Sequence, residues 1–166
     1  AAPSFPPAGG ALVLDIRMPR VRGLELQRRL QAADSPFPII FMTGHGDVEL
    51  AVQAMKAGAV DFLQKPFKDQ PFLDTVERAV QLSLARYAAT QRHQAARATL
   101  DRLTAREREV ARLLALGLSN KDVARRLDIS DNTVHVHRQH VMEKTETGSA
   151  ADLARLILRA DPNGLD

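Results

Sequence analysis

Apolar positions in the first seventy residues fall into three short runs, ALVLD, PFPIIFMTG and VDFLQKP, separated by stretches with helical spacing. Each run is too short for a buried helix and is apolar on both faces. This pattern is typical of strands in a parallel sheet that helices cover on both sides. We therefore predict an α/β fold for this part of the chain, a partial, doubly wound parallel sheet of three strands.

The stretches between and after these runs predict three helices. Leucines at helical spacing predict a helix over about 24–33, and a second helix over about 48–57 follows Asp47, which is expected to cap it with its side chain. A third helix begins near Gln70, and its apolar face extends to about Leu84. Beyond that point Ala, Gln, Arg and Thr dominate, which predicts a helical or partly flexible linker.

The remainder of the chain has only helical spacing. Thr104 with Glu107, and Ser119 with Asp122, fit the Ser/Thr-x-x-acid capping box, and Ser130 is expected to cap a third helix. A short helix is followed by a tight turn that contains the apolar Ile129, and then by a longer helix. This order of elements is the helix-turn-helix pattern. With a last helix over about 150–159, we predict an all-α domain of four helices. The predicted organisation is a partial α/β domain over 1–84, a helical linker over 85–102 and the helix-turn-helix domain over 103–160.

The third of these four helices has an unusual outer face. At about 100° per residue, Val134, Val141 and Thr145 fall on the side that should pack inward. Val136 and Gln139 lie opposite, and the flanks are formed by His135, His137 and Lys144. An outward valine suits contact with a thymine methyl group, and a glutamine beside it suits a bond to a base edge. The alternative is an ordinary exposed helix with one isolated valine.

Charge and composition add little to this picture. The chain of 166 residues carries a net charge of +3, but residues 101–166 are neutral, since 11 Lys/Arg balance 11 Asp/Glu. Bulk electrostatics therefore does not favour nucleic acid over a protein partner for the helical half, and a protein-interaction module stays open. The chain has no cysteine and no apolar run long enough to span a membrane, so we expect a cytoplasmic protein.

The three predicted strands end at Asp15, Thr43 and Lys65, which places a carboxylate, a hydroxyl and an ammonium at one edge of the sheet. The carboxylate can attack phosphorus, and the other two groups can bind phosphoryl oxygens. Two alternatives remain: a structural ion pair between Asp15 and Lys65, and an enzyme that acts on a small phosphorylated substrate. A metal site is a further alternative for the helical half, formed by His135, His137 and His140.

These segments resemble a known family. LVLDIRMPRVRG, IIFMTGHGD and MKAGAVDFLQKPF resemble the receiver domain of bacterial two-component response regulators. LTAREREVARLLALGLSNKDVARRLDISDNTVHVHRQHVMEK resembles the LuxR-type helix-turn-helix. In this order, and joined by a long linker, they resemble the FixJ branch of the FixJ/NarL response regulators over roughly residues 11–160.

The resemblance implies a DNA-binding transcription regulator, not an enzyme, that a sensor histidine kinase phosphorylates on Asp15 in the complete protein. It assigns Thr43 and Phe62 as switch residues and Lys65 as the phosphoryl-binding lysine, followed by a cis bond to Pro66. The loop after the phosphoacceptor would contain Met18, Pro19 and Gly23. The surface over about 48–84 would change on phosphorylation and form a homodimer.

In the helical half the resemblance implies binding of double-stranded DNA through the helix 131–144. His135, Val136 and Gln139 match base-facing positions. Phosphate or scaffold positions are matched by Lys121, His137, Arg138 and Lys144. The resemblance also allows RNA polymerase as a partner. It does not imply binding to a membrane.

The chain departs from the family pattern in two places. A receiver has five strands, the first of which ends in two acids that hold Mg²⁺ together with the phosphoacceptor, but no acid precedes Asp15 here. Mg²⁺ is therefore expected in a complete receiver and not in this chain alone, with Asp15 as part of an incomplete metal site. We expect this chain to be a piece of a longer protein; the alternative is a truncated regulator that acts without phosphorylation. The second departure is Thr145, where relatives carry an apolar residue.

Overall fold

The computed structural model describes residues 9–18, 23–33, 35–44 and 47–166, so the predictions for residues 1–8 and for Pro19 lie outside the described residues. The chain divides into two compact units, Ala1–Ala89 and Thr90–Asp166. The elements in chain order are β1 (Leu12–Asp15), α1 (Gly23–Ala32), β2 (Ile39–Thr43), α2 (Val48–Lys56), β3 (Asp61–Gln64), α3 (Asp69–Asp101), α4 (Ala105–Ala115), α5 (Asn120–Leu127), α6 (Asp131–Thr145) and α7 (Ala150–Ala160).

The first unit contains the predicted parallel sheet. In the described part of the chain, the strand order is β1-β2-β3 and both pairings are parallel. Ile40 and Phe41 of the central strand are fully buried, one on each face of the sheet. Helices cover both faces because a parallel strand that is apolar on both sides must exclude water from both.

The buried face of α3 differs from the prediction. Thr75, Ala79 and Ser83 are buried, whereas Leu84 is 41 % exposed. The three buried residues follow each other at i, i+4 and share one stripe of the helix, and Leu84 lies about 100° away from it. The predicted apolar face is therefore wrong at its C-terminal end, because small polar side chains occupy the packed stripe. Ser83 is satisfied by the backbone, since its Oγ accepts the N–H of Gly10 at 3.3 Å.

The second unit contains the predicted four helices, and its caps form as the sequence indicates. Thr104 makes a full capping box with Glu107, while Ser119 and Ser130 accept the N–H groups of residues 122 and 133. Asp128 ends α5 in the left-handed conformation at φ 52°, and Ile129 packs against the core. Together these features confirm the helix-turn-helix pattern over α5 and α6.

The core of the second unit extends past the four helices at both ends. α3 continues without a break to Asp101, and Ala96 in its last turns is only 3 % exposed. Leu100 packs against the same core as α4, α6 and α7, and so does Leu165 near the end of the chain. The apolar core of this unit is therefore formed by more of the chain than residues 103–160.

Candidate functional site

The ends of the three strands bring Asp15 and Lys65 into direct contact. Lys65 Nζ donates to Asp15 Oδ2 at 2.6 Å, and the backbone N–H of Arg17 donates to Oδ1 at 3.0 Å. The bond from the Lys65 ammonium, with the Arg17 N–H second, lowers the pKa of the Asp15 carboxyl below its ordinary value. The residue is therefore an ionised carboxylate at neutral pH, next to a cation.

Thr43 lies on the neighbouring strand end but does not point its hydroxyl at Asp15. Its side chain is buried, its Oγ donates to the carbonyl of Leu63 at 3.4 Å, and its own carbonyl accepts the N–H of Lys65 at 2.7 Å. Phe62 is 44 % exposed, and both Thr43 and Phe62 line a depression of about 220 Å³ beside α2. The Lys65–Pro66 bond is cis, as the resemblance predicts.

Asp47 occupies the N-cap position of α2 as predicted, but it does not cap the helix with its side chain. Instead Oδ1 accepts from Nε of Arg17 at 2.6 Å and lies 2.5 Å from Nη2, and Oδ2 accepts the N–H of Gly44 at 2.9 Å. Both carboxylate oxygens are thus bonded to groups outside α2. Sequence spacing could not reveal this contact, because Arg17 and Asp47 are thirty residues apart.

The residues present at this edge do not fit a magnesium ion. No group of three His, Cys, Asp or Glu side chains that could hold a metal occurs among the residues that the structure describes. Both oxygens of Asp15 already accept hydrogen bonds from Arg17 and Lys65. Mg²⁺ requires several oxygen ligands in an octahedral arrangement, and one carboxylate bound to a lysine does not provide them.

In the second unit, the two faces of α6 are arranged as the helical phase predicts. Val134 and Val141 are fully buried, and Thr145 is 5 % exposed. Val136 on the opposite face is 42 % exposed and lies beside the exposed Gln139. His135 and His140 are exposed as well.

Thr145 replaces an apolar residue without leaving its hydroxyl unsatisfied. Its Oγ donates to the carbonyl of Val141 at 2.6 Å, one turn back along α6, and lies 2.8 Å from the hydroxyl of Thr147. A buried hydroxyl with such partners costs little. The last helix accordingly docks with Leu153 fully buried.

The flanks of α6 contact its neighbours. Arg138 is half-buried, and its Nη1 donates to Oδ1 of Asn120 at 3.0 Å, which ties α6 to the first turn of α5. Asn120 is not predictable as a partner of Arg138 from the sequence, since no spacing rule links it to α6. Lys121 is exposed, whereas His137 is half-buried and its Nδ1 has no hydrogen-bond partner in the described part of the chain. A cleft of about 460 Å³ at this place is lined by Asn120, His135, Arg138, Gln139 and Met142.

Lys144 binds a buried glutamate of α4. Its Nζ donates to both carboxylate oxygens of Glu107, at 2.8 and 2.7 Å, and Glu107 also accepts the N–H of Thr104 at 2.8 Å. Glu107 is 3 % exposed, and His140 Nδ1 lies 3.7 Å from its Oε1. The bond from Lys144 lowers the pKa of Glu107 to about 2. This carboxylate therefore joins the start of α4 to the end of α6.

The three histidines of α6 do not form a metal site. Across residues 9–18, 23–33, 35–44 and 47–166, no three potential ligands converge. Within the same ranges, none of the helices is sufficiently long and apolar to cross a membrane.

Comparison with known proteins agrees with both units. Residues 8–77 match the family described as response regulator receiver domain, and residues 101–157 match the bacterial regulatory proteins of the luxR family. The chain is 48 % identical over 153 residues to the transcriptional regulatory protein FixJ of Bradyrhizobium diazoefficiens, covering 91 % of this chain and 74 % of FixJ. It is 40 % identical to the response regulator protein TmoT of Ectopseudomonas mendocina, covering 92 % and 69 %. The solved structure of the response regulator StyR superposes with a TM-score of 0.81 at 43 % identity, covering 92 % of this chain and 78 % of StyR.

A receiver-type sheet joined to a LuxR-type helix-turn-helix defines a DNA-binding transcriptional response regulator. With relatives this similar along nine-tenths of its length, the chain belongs to the FixJ/NarL family of two-component response regulators. The family consists of transcription regulators, and its receiver domains generally use Mg²⁺ for phosphorylation.

Proposed function

We propose that Asp15 is the phosphoacceptor of this regulator and that a sensor histidine kinase is its phosphodonor in the cytoplasm. The supporting observation is the 2.6 Å contact between Lys65 Nζ and Asp15 Oδ2. A carboxylate oxygen attacks the phosphorus of the donor's phosphohistidine, the P–N bond breaks, and the Lys65 ammonium binds the phosphoryl oxygens. Thr43 and Phe62, which line one depression beside α2, then transmit the change to the surface of α2 and β3.

Phosphorylation is expected to promote a homodimer, and Asp15→Asn tests this. In the complete protein, acetyl phosphate should raise the dimer fraction, as measured by light scattering. It should leave the Asp15→Asn variant unchanged, because an amide is not a nucleophile toward phosphorus. Glu25→Gln is the matched control, since Glu25 is an exposed carboxylate of the same unit that pairs with Arg29 on α1, outside the proposed dimer surface. An equal response of the Asp15→Asn variant and the unsubstituted chain would favour a regulator that acts without phosphorylation.

We propose that the exposed face of α6 reads the major groove of double-stranded DNA. The supporting observation is the exposed Val136 beside Gln139, on a helix anchored by the buried Val134 and Val141. Valine suits a thymine methyl group and glutamine an adenine edge, with His135 beside them. A dimer would set two such helices at the spacing of a two-fold DNA site, where RNA polymerase can be contacted.

The flanking residues are expected to contribute in different ways. Lys121 is exposed and suits a phosphate contact, and Arg138 and His137 lie half-buried at the edge of the same face. Both carboxylate oxygens of Glu107 hold Lys144, which favours the scaffold role over the phosphate role.

Replacing Gln139 by Ala should change which sequences the protein prefers. We expect a loss of roughly 1–3 kcal/mol at the base pair that Gln139 reads and little change elsewhere. Lys121→Ala is the contrasting variant: it should weaken binding uniformly and reduce the slope of log K against log salt by about one. The two variants are distinguished by measuring their affinities for a library of randomised DNA sites at two salt concentrations. A uniform loss in the Gln139→Ala variant would show that this residue reads no base.

A further inference from the structure

Arg17 and Asp47 connect two loops that border the phosphoacceptor. Arg17 lies two residues after Asp15, and Asp47 directly precedes α2. The Asp47 carboxylate is 2 % exposed, and its Oδ1 accepts from Nε of Arg17 at 2.6 Å and contacts Nη2 at 2.5 Å. A carboxylate this well buried is stable when its charge is paired and its oxygens are hydrogen-bonded, and both conditions hold here.

Asp47 makes this contact in place of the capping hydrogen bond that its position at the start of α2 would allow. An aspartate at a helix N-cap ordinarily accepts an N–H of the first turn, but the side chain of Asp47 makes no such bond. Its second oxygen accepts the N–H of Gly44 instead, the residue that follows Thr43. Asp47 does not make the bond that its position favours, although its oxygens are bonded elsewhere. Such a departure indicates that a tertiary contact determines the conformation of the side chain.

The contacts form a continuous chain through the candidate site. Lys65 binds Oδ2 of Asp15, the backbone N–H of Arg17 binds Oδ1, and the Arg17 side chain binds Asp47. The Asp47 carboxylate in turn accepts the N–H of Gly44, the residue after Thr43. The backbone carbonyl of Asp47 accepts the N–H of Ala51 at 2.9 Å, which is the first hydrogen bond of α2. The orientation of the Asp15 carboxylate and the position of the α2 N-terminus are thus linked by charge-assisted bonds.

We propose that Asp47 is a positioning residue that, through Arg17, couples the phosphoacceptor loop to the start of α2. The coupling is reciprocal: a change at the Asp15 loop shifts the first turn of α2, and a change at Asp47 shifts the Arg17 N–H that holds Asp15. This proposal rests on the phosphoacceptor role of Asp15.

Amide hydrogen exchange tests the coupling in the full chain without phosphorylation. In the Arg17→Ala variant, the N–H of Ala51 in the first turn of α2 should exchange about tenfold faster, although the substitution lies on the other loop. In the Asp47→Asn variant, the N–H of Arg17 should exchange faster by a similar factor. The doubly substituted variant Arg17→Ala/Asp47→Asn should lose no more protection than the single variants, since both substitutions break the same contact. Arg29→Ala is the matched control, because it removes an exposed arginine–glutamate pair of the same unit on α1.

A second measurement separates this proposal from the phosphoacceptor role itself. With radiolabelled acetyl phosphate, Arg17→Ala and Asp47→Asn should each slow label incorporation about tenfold, beyond any effect of Arg29→Ala at equal thermal stability. This labelling uses the complete protein; if incorporation into it equals that into its Asp15→Asn variant, the phosphoacceptor role fails, and the exchange data alone decide the coupling. Unchanged exchange at Ala51 in the Arg17→Ala variant, or an effect no larger than that of Arg29→Ala, overturns the coupling. Loss of protection in both single variants, with no further loss in the doubly substituted variant, supports it.

Discussion

Replacing Glu107 by Gln is expected to destabilise the second unit by about 2 kcal/mol, which corresponds to a Tm decrease of roughly 10 °C for a unit of this size. The substitution removes the charge that binds Lys144 through both oxygens and that accepts the N–H of Thr104. Because Glu107 is buried, its ion pair is screened less than a surface pair. Thermal and urea unfolding followed by circular dichroism would measure the change.

The same variant should change how stability depends on pH. The folded pKa of Glu107 is about 2, below its ordinary value of 4.5. A lowered folded pKa means that the stabilisation is fully present above the unfolded pKa and is lost as the pH falls from about 4.5 towards 2. The difference in unfolding free energy between the unsubstituted chain and the Glu107→Gln variant should therefore shrink across this interval.

Glu109→Gln provides the matched control for this prediction. Glu109 also lies on α4 and pairs with Arg106, but its side chain is 54 % exposed. An exposed pair of this kind contributes only about 0.5 kcal/mol, so the Glu109→Gln variant should be nearly as stable as the unsubstituted chain. Equal destabilisation by the two substitutions would contradict the role given to Glu107.

The substitution Val134→Asp should prevent folding of the second unit, whereas Val136→Asp should not. Val134 is fully buried in the core, and an unpaired carboxylate there is expected to cost at least about 4 kcal/mol. Val136 is 42 % exposed, so Val136→Asp should change stability by less than about 0.5 kcal/mol. It should nevertheless weaken DNA binding, because a carboxylate on this face repels phosphates.

These two variants are compared by the dispersion of amide resonances from the second unit, with those of the first unit as an internal reference. DNA affinity is measured in parallel by fluorescence anisotropy. A folded Val134→Asp variant together with an unfolded Val136→Asp variant would reverse the assignment of the two faces of α6. Unchanged DNA affinity in the Val136→Asp variant would place the DNA-binding face elsewhere.

Helical and strand periodicity predicted most of the fold because both depend on burial of one face. Val134 and Val136 differ by only two positions, yet the 3.6-residue period places one in the core and the other in solvent, as observed. Apolar runs that end at Asp15 and Thr43 likewise predicted parallel strands with their carboxyl ends at one edge.

Contacts between polar groups far apart in sequence were not predictable in the same way. The capping box identified Glu107 as a helix-start residue, but no local rule pairs it with Lys144, 37 residues later. Asp47 was expected to cap α2 on a sound local preference, which a guanidinium from another loop overrides. At Leu84 the apolar side chain suggested burial, whereas Thr75 and Ser83 occupy the packed stripe of α3. In each case the partners or the burial of the side chain are determined by tertiary contacts and not by local propensity.

The participation of the last turns of α3 in the core of the second unit has a practical consequence for dissecting the gene. A fragment that starts at Leu103 would lose Leu100, and water would reach the apolar side chains that Leu100 covers. Starting the fragment at or before Thr90, and keeping the terminal residues to Leu165, would retain this covering. Poor expression or aggregation of a shorter piece would then reflect an exposed apolar patch created by the cut and would say nothing about its affinity for DNA.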